Sequence, residues 1–207
     1  MKMNLNELKN LLKLEKPGWN VFLRKPTKKG EYNDELYTPS QLTIPLLETM
    51  EGGFGYFDLD PASSDIANGM NKIAKRYLTE KEEDGLATPW RDNDYVFCNP
   101  PYTWELMVPF CKKMVMHNNG ILLVLDKTTV MTRKLLDPNC TCVLRFASYR
   151  PSFINPFVNK DFKYQISLYA FGEKAMKHLI RVKKLYEQQG LDPVLAFSEH
   201  ALASLLD

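Results

Sequence analysis

Tyr95-Val96-Phe97-Cys98-Asn99-Pro100-Pro101-Tyr102 is the stretch on which the fold turns. Its first half is aromatic and β-favouring, and it predicts a strand over Asp94 to Cys98. Two successive prolines end that strand. Each fixes φ, lacks an N–H and pushes the residue before it out of the helical region. The turn is therefore stiff, short of two donors and rich in outward carbonyl oxygens. Asn99 adds a side-chain acceptor and Tyr102 a flat aromatic face. In an open α/β sheet, ligands bind beyond the carboxyl ends of strands, which is where this turn falls. Rigid acceptors beside a ring suit a planar substrate with an exocyclic amino group. They can take both amino hydrogens and steer the nitrogen lone pair toward an electrophilic methyl group. Such chemistry needs no metal and no covalent enzyme intermediate, only positioning and preorganised dipoles.

Working outward, Trp104 to His117 predicts a helix that Pro109 should kink. Ile121 to Leu125, between Gly120 and Asp126, predicts a buried parallel strand. Upstream, Phe54 to Asp60 predicts a strand and Asn71 to Leu78 a helix. Thr38-Pro39 resembles a helix cap with proline at the first helical position, and Pro45 interrupts that helix or delays its start. Downstream, Thr141 to Phe146 and Tyr164 to Phe171 predict strands. Glu173 to Gln188 predicts a basic amphipathic helix, and Ser198 to Leu206 a short one. The alternation predicts an α/β sheet with helices on both faces. No strand is legible over 61–93, which leaves room for a reduced sheet. The N-terminal part predicts a short amphipathic helix over Asn4 to Lys16, stopped by Pro17-Gly18, and a basic connector over Trp19 to Gly30. Three parts follow: a basic arm (1–36), a central domain (37–172) and a C-terminal helical segment (173–207).

The chain has 207 residues, 44% hydrophobic and 25% charged, which excludes wholesale disorder and fits one domain with an appendage. Its longest aliphatic run is Ile121 to Leu125, too short for a membrane span. Met1-Lys2-Met3-Asn4 lacks a secretory apolar core, so a soluble intracellular protein with no membrane partner is expected. The net charge is +2, but residues 1–30 hold eight basic and two acidic side chains, a balance of +6 that leaves −4 for the rest. That asymmetry points to an anionic partner, nucleic acid first, or to a solvated helix face with a linker. Cys98, Cys111, Cys140 and Cys142 form no C-x-x-C pair and have no His-x-Glu nearby, so buried thiols are expected and a zinc site is not.

The ordered set of motifs resembles the phage-type (Dam-like) DNA N6-adenine methyltransferases, over residues 37–172. It comprises Tyr37-Thr38-Pro39, Phe57-Asp58-Leu59-Asp60-Pro61-Ala62-Ser63, Asn68, Tyr77-Leu78-Thr79, Asp84-Gly85-Leu86, Trp90 and Asn99-Pro100-Pro101-Tyr102. The last four residues alone are shared with RNA and protein-glutamine amino-methyltransferases; the ordered set is more specific. The resemblance implies a Rossmann-like sheet that binds S-adenosylmethionine, releases S-adenosylhomocysteine, uses no metal and acts on double-stranded DNA. It implies that Asn99 and the Pro100 carbonyl, held by Pro101, accept from the adenine N6 amino group. Tyr102 would stack on the base, which must be flipped because its amino group is paired within the duplex. Tyr37, Thr38 and Pro39 are implied at the methionine end of the donor, and Asn68 as a contact or a cap. Asp60 would accept from the donor's ammonium group, with Asp58 as the competing candidate. The chain departs from the usual pattern after Asp60-Pro61, where Ala62-Ser63-Ser64-Asp65 replaces a glycine-rich loop. Asp126 and Thr128 are candidates for the pocket rim. DNA contacts would come from the basic arm, from a loop through Arg145 and Arg150 with Phe153 as a wedge, or from the helix bearing Lys174, Lys177, Arg181, Lys183 and Lys184. The resemblance also implies a phage or prophage enzyme of the restriction-modification kind, acting in the cytoplasm of a bacterial host. The alternatives are an RNA or protein-glutamine amino-methyltransferase, and a nucleic-acid-binding protein on an inactive methyltransferase scaffold.

Overall fold

The computed structural model describes residues 36–79, 84–126, 129–155, 160–199 and 201–202, with backbone alone at 154–155 and 160–162. The expected helix over 4–16 and the basic connector lie outside the described residues, as does Thr128. The elements run α1 (Ser40–Glu48), β1 (Phe57–Asp60), α2 (Asp65–Met70), β2 (Ala74–Tyr77), β3 (Val96–Cys98), α3 (Trp104–His117) and β4 (Gly120–Leu125). A π-helical turn (Thr132–Leu136) follows, then β5 (Cys142–Phe146), β6 (Ser152–Asn155), β7 (Lys160–Lys163), β8 (Ile166–Phe171), α4 (Glu173–Gln188) and β9 (Pro193–Phe197).

Seven strands make one mixed sheet in the order β2-β1-β3-β4-β8-β5-β9, and β6 and β7 form a separate antiparallel pair. β2, β1, β3 and β4 are mutually parallel, while β8 runs antiparallel to both β4 and β5. Every residue of β4 and β8 is buried, as befits central strands covered on two faces. The expectation that Ile121 to Leu125 pairs in parallel therefore holds toward β3 and not toward β8.

The two faces carry different helices. α3 lies on one, where Gly120 allows the closest approach. A Cβ there would stand 2.3 Å from the Val96 carbonyl oxygen and 3.1 Å from Met114 Sδ. α1 and α4 pack together on the other face. Tyr186 Oη donates to the Leu42 carbonyl (2.7 Å) and Arg181 Nε to that of Thr49 (2.8 Å). His178 ties three elements. Its Nε2 meets the Leu46 carbonyl at 2.8 Å and must carry the proton, so Nδ1 accepts from Tyr95 Oη, also at 2.8 Å. Burial pulls this imidazole down to about 4, which keeps it neutral. Pro45 does not interrupt α1. Its ring is buried with Leu42, Leu46 and Leu47, and that burial offsets the single helical bond it removes.

Two further expectations fail. Asn71 to Leu78 is not a helix. Ala74–Tyr77 is an edge strand parallel to β1, in register Phe57↔Ala74 and Leu59↔Arg76. The spacing of Ile73, Ala74, Tyr77 and Leu78 imitates a helical stripe, but pairing with β1 prevails. The C-terminal segment is also more than helical. α4 covers β8 and β9, and β9 pairs antiparallel with β5 as the seventh strand. Among the described residues, no helix is long and apolar enough to cross a membrane.

Candidate active site

β1 has β2 on one side and β3 on the other, so the order of the chain across the sheet reverses between β1 and β3. Splayed connections leave a crevice beyond the carboxyl ends at such a point. Asp60 closes β1 and Asn99 follows β3, so both stand at the carboxyl edge of the sheet where the strand order reverses.

The Asn99 side chain is fully oriented. Nδ2 donates to the Leu36 carbonyl and to Thr38 Oγ1, both at 3.0 Å, and Oδ1 accepts from Tyr102 Oη at 2.7 Å. Leu36 to Pro39 thus forms a strap against the turn, from 61 and 63 positions away in sequence. Neighbouring residues secure the strap. Asn71 Nδ2 donates to the Thr38 carbonyl (3.2 Å) and to Thr43 Oγ1. Ser64 Oγ donates to Tyr37 Oη (3.1 Å) while it accepts from the Ala67 N–H as the N-cap of α2. Pro39 itself precedes α1 in an extended conformation, φ −69°.

Pro100 is buried and Pro101 half-buried. Tyr102 has only 1% of its surface exposed, and burial raises its hydroxyl well above the ordinary tyrosine range. The free stacking face expected of it is therefore covered in this conformation. Thr103, the N-cap of α3, leaves Oγ1 buried without a hydrogen-bond partner beside this turn.

The two aspartates of β1 differ sharply. Asp58 pairs with Lys75 at 2.8 Å and accepts from the Tyr95 N–H at 3.0 Å. Partial burial works to raise its carboxyl, but these partners outweigh it and hold the group below its ordinary value. Asp60 is buried, and it accepts from the Ala62 N–H (3.2 Å) and the Ser63 side chain. Among the described residues no cation forms an ion pair with it. Burial pushes its carboxyl up to about 7. Asn68 sits half-buried on α2, its N–H bonded to the Ser64 carbonyl (2.9 Å).

A second loop flanks Asp60. A Cβ on Gly85 would stand 1.8 Å from the Pro61 carbonyl oxygen, so only glycine lets residues 84–88 lie against that peptide. Lys113 Nζ, from α3, holds this loop by the carbonyls of Gly85 (3.0 Å), Leu86 (2.9 Å) and Thr88 (2.6 Å). Trp90 Nε1 also donates to Gly85 (3.0 Å), and Lys113 lies over its ring.

Several residues with roles here escaped the sequence reading. Ser64 carried a legible signal, a serine before a helix start. Asn71, Lys113 and the Leu36 carbonyl carried none. Conversely, Arg145 is not a free DNA-facing cation. It reaches Asp126 and Asp137 at 3.4 Å and Tyr169 Oη at 3.1 Å. Phe153 is fully buried rather than exposed as a wedge, whereas Arg150 is exposed. On α4, Lys177 and Lys183 pair with Glu173 and Glu187, and Lys174 covers the Tyr95 ring at 4.4 Å. All four cysteines are free and buried.

The family model for DNA N-6-adenine-methyltransferases (Dam) matches residues 25–163, well over half of the chain. The chain belongs to the Dam family. No curated protein and no solved structure matches it. The Dam match takes in the strap, Asp60, the Gly85 loop, the Asn99 turn and the β6–β7 pair, and it stops before β8, α4 and β9.

Proposed function

We propose that this Dam-family chain transfers a methyl group from S-adenosylmethionine to the N6 amino group of an adenine flipped out of double-stranded DNA. The observation that carries the reading is that Asp60 ends β1 and Asn99 follows β3 at the carboxyl ends of adjacent parallel strands, where the strand order reverses. The reversal of strand order there supports a Rossmann-like reading of β2-β1-β3-β4, extended by β8, β5 and β9.

The residues present fit the donor. Asp60 is a buried carboxyl with no cation paired to it among the described residues, and an ammonium group is a partner that suits such a site. Gly85 lets the 84–88 loop lie close against the Pro61 peptide beside it, a close backbone approach where the glycine-rich loop is missing. Asp58, neutralised by Lys75, is the weaker candidate. When bound, the donor supplies an electrophilic methyl group on a sulfonium.

The chain's own part is to position the amine. Asn99 Oδ1 and the Pro100 carbonyl accept the two N6 hydrogens, which raises electron density on that nitrogen and directs its lone pair across the crevice. Both acceptors are fixed before substrate arrives, so little reorganisation is spent at the moment of transfer. The proton released from the methylated amine passes to solvent, because an amide is no base at neutral pH. Tyr102 stacks on the base only after the residues that cover its ring move aside, its hydroxyl staying on Asn99 Oδ1, so base entry is coupled to their displacement.

The test is to incubate the protein with labelled donor and duplex DNA, digest the DNA and identify the product. N6-methyldeoxyadenosine is expected. Methylcytosine, methylated RNA or methylglutamine as the main product would replace this reading. Absence of heat on titration with S-adenosylmethionine would favour the inactive scaffold. Asn99→Ala should slow transfer by about 100-fold or more; the loss of three side-chain hydrogen bonds should also lower its folding midpoint, and far-UV circular dichroism should show that the fold persists.

A further inference from the structure

The geometry points to Thr38 as a positioning residue for the transfer step: its hydroxyl oxygen, with the Leu36 carbonyl, sets which way the Asn99 amide faces. This inference rests on the methyl-transfer reading above and assigns Thr38 to the acceptor side of the crevice rather than to the donor.

An asparagine side chain offers two N–H donors and two acceptor lone pairs. In this site Leu36 and Thr38 consume both donors, and Tyr102 consumes one lone pair. One lone pair on Oδ1 remains, the number needed for one hydrogen of an incoming amine. The orientation cannot invert. A flipped amide would set Oδ1 against the Leu36 carbonyl oxygen at 3.0 Å, and a carbonyl has no hydrogen to donate. Two bonds drawn from Nδ2 also polarise the amide toward its oxygen and strengthen Oδ1 as an acceptor.

Thr38 is itself immobilised. Its carbonyl accepts from Asn71, and Pro39 after it keeps its backbone out of the helical region. Its carbonyl and its hydroxyl oxygen are thus both committed to the protein. The Leu36 carbonyl alone would leave the second Nδ2 hydrogen unpaired and the amide free to rock about its last torsion.

The test uses the full chain carrying Thr38→Val, which is isosteric but lacks the acceptor, and Thr38→Ser, which keeps it. With asparagine labelled by ¹⁵N, the Asn99 side-chain signal is assigned by its loss in Asn99→Ala. Thr38→Val should speed solvent exchange of one Nδ2 hydrogen by about tenfold or more and spare the one on Leu36, and Thr38→Ser should restore it. Unchanged exchange in Thr38→Val overturns the inference whatever the enzyme does. In kinetics, Thr38→Val should lower kcat by about tenfold or more and leave the donor's Kd, measured by titration calorimetry, within about twofold. Thr38→Ser should recover most of kcat. In an Asn99→Ala background Thr38→Val should cost nothing further; an additive loss overturns the inference. So does a Thr38→Val enzyme with normal kcat and weakened donor binding, since Thr38 would then be a donor contact. If the parent protein transfers no methyl group, the methyl-transfer reading fails while the exchange experiment still decides what holds the amide.

Discussion

Asp60 and Tyr102 show how much a single side chain can conceal. An ionised Asp60 is burdensome without a cation, because its folded value of about 7 lies above the ordinary 3.8. A raised value means that its contribution to stability is fully present below about 3.8 and is lost as pH rises through about 7, a change of about 4 kcal/mol. Asp60→Asn should therefore raise the urea midpoint of the ligand-free protein at pH 8, with the gain shrinking as pH falls toward 4. The same variant should lose affinity for S-adenosylmethionine in calorimetry. Parent affinity should climb by roughly tenfold between pH 6 and 8 as Asp60 ionises, and the variant's should not. For Tyr102, Tyr102→Phe removes one hydrogen bond and should cost about 1 kcal/mol of stability, whereas Tyr102→Ala empties a buried site and should cost about 3–5 kcal/mol. Chemical denaturation of both variants checks this, and it shows why only the phenylalanine variant reports cleanly on catalysis. The residue types at 60 and 99 were legible in the sequence. The partners of Asn99 on the strap were not, because a hydrogen bond across 61 positions leaves no periodicity.

At the level of elements, legibility followed the strength of local signals. α3 and α4 match their expected bounds because each begins and ends on residues that start and stop helices. β2 was lost because Ala74-Lys75-Arg76-Tyr77 is a short edge strand with one buried residue, and its pairing partner lies outside any local window. β9 was lost for a related reason: Pro193 and Ala196 are poor strand formers, and only its ladder with β5 makes it one. The loop over 84–88 depends on an element distant in sequence. Lys113→Met keeps the aliphatic stem but leaves three carbonyls without their ammonium donor. It should cost about 1–3 kcal/mol and quicken amide exchange across the 84–90 segment, read by hydrogen-exchange mass spectrometry. Unaltered exchange there would mean that Trp90 alone holds the loop.

Across the whole molecule, two buried groups act on acid stability in opposite senses. His178 has its folded value lowered from 6.5 to about 4. The neutral ring that joins α1, α4 and β3's approach is whole above pH 6.5, and its contribution of about 3 kcal/mol is lost as pH falls toward 4. Asp60 acts with the reverse slope over an overlapping range, so the parent protein should show little pH dependence between 4 and 6.5. Urea titrations should separate the two. Asp60→Asn leaves stability rising with pH over that range, and His178→Gln leaves it falling. Parallel curves for the three proteins would sink this account. The α/β class was legible from strand endings and prolines, and β5 and β8 were expected as strands; β9 and the antiparallel pairing of the sheet's far half were not, since ladder partners leave no local pattern. Leu36 has one last consequence. Its carbonyl restrains the Asn99 amide, and its nitrogen continues into the peptide that leads back to the basic residues 1–30. Because that restraint comes from a main-chain carbonyl, side-chain substitutions at position 36 leave it in place, whereas inserting or deleting a residue between Leu36 and Thr38 would draw one of the two acceptors off Nδ2.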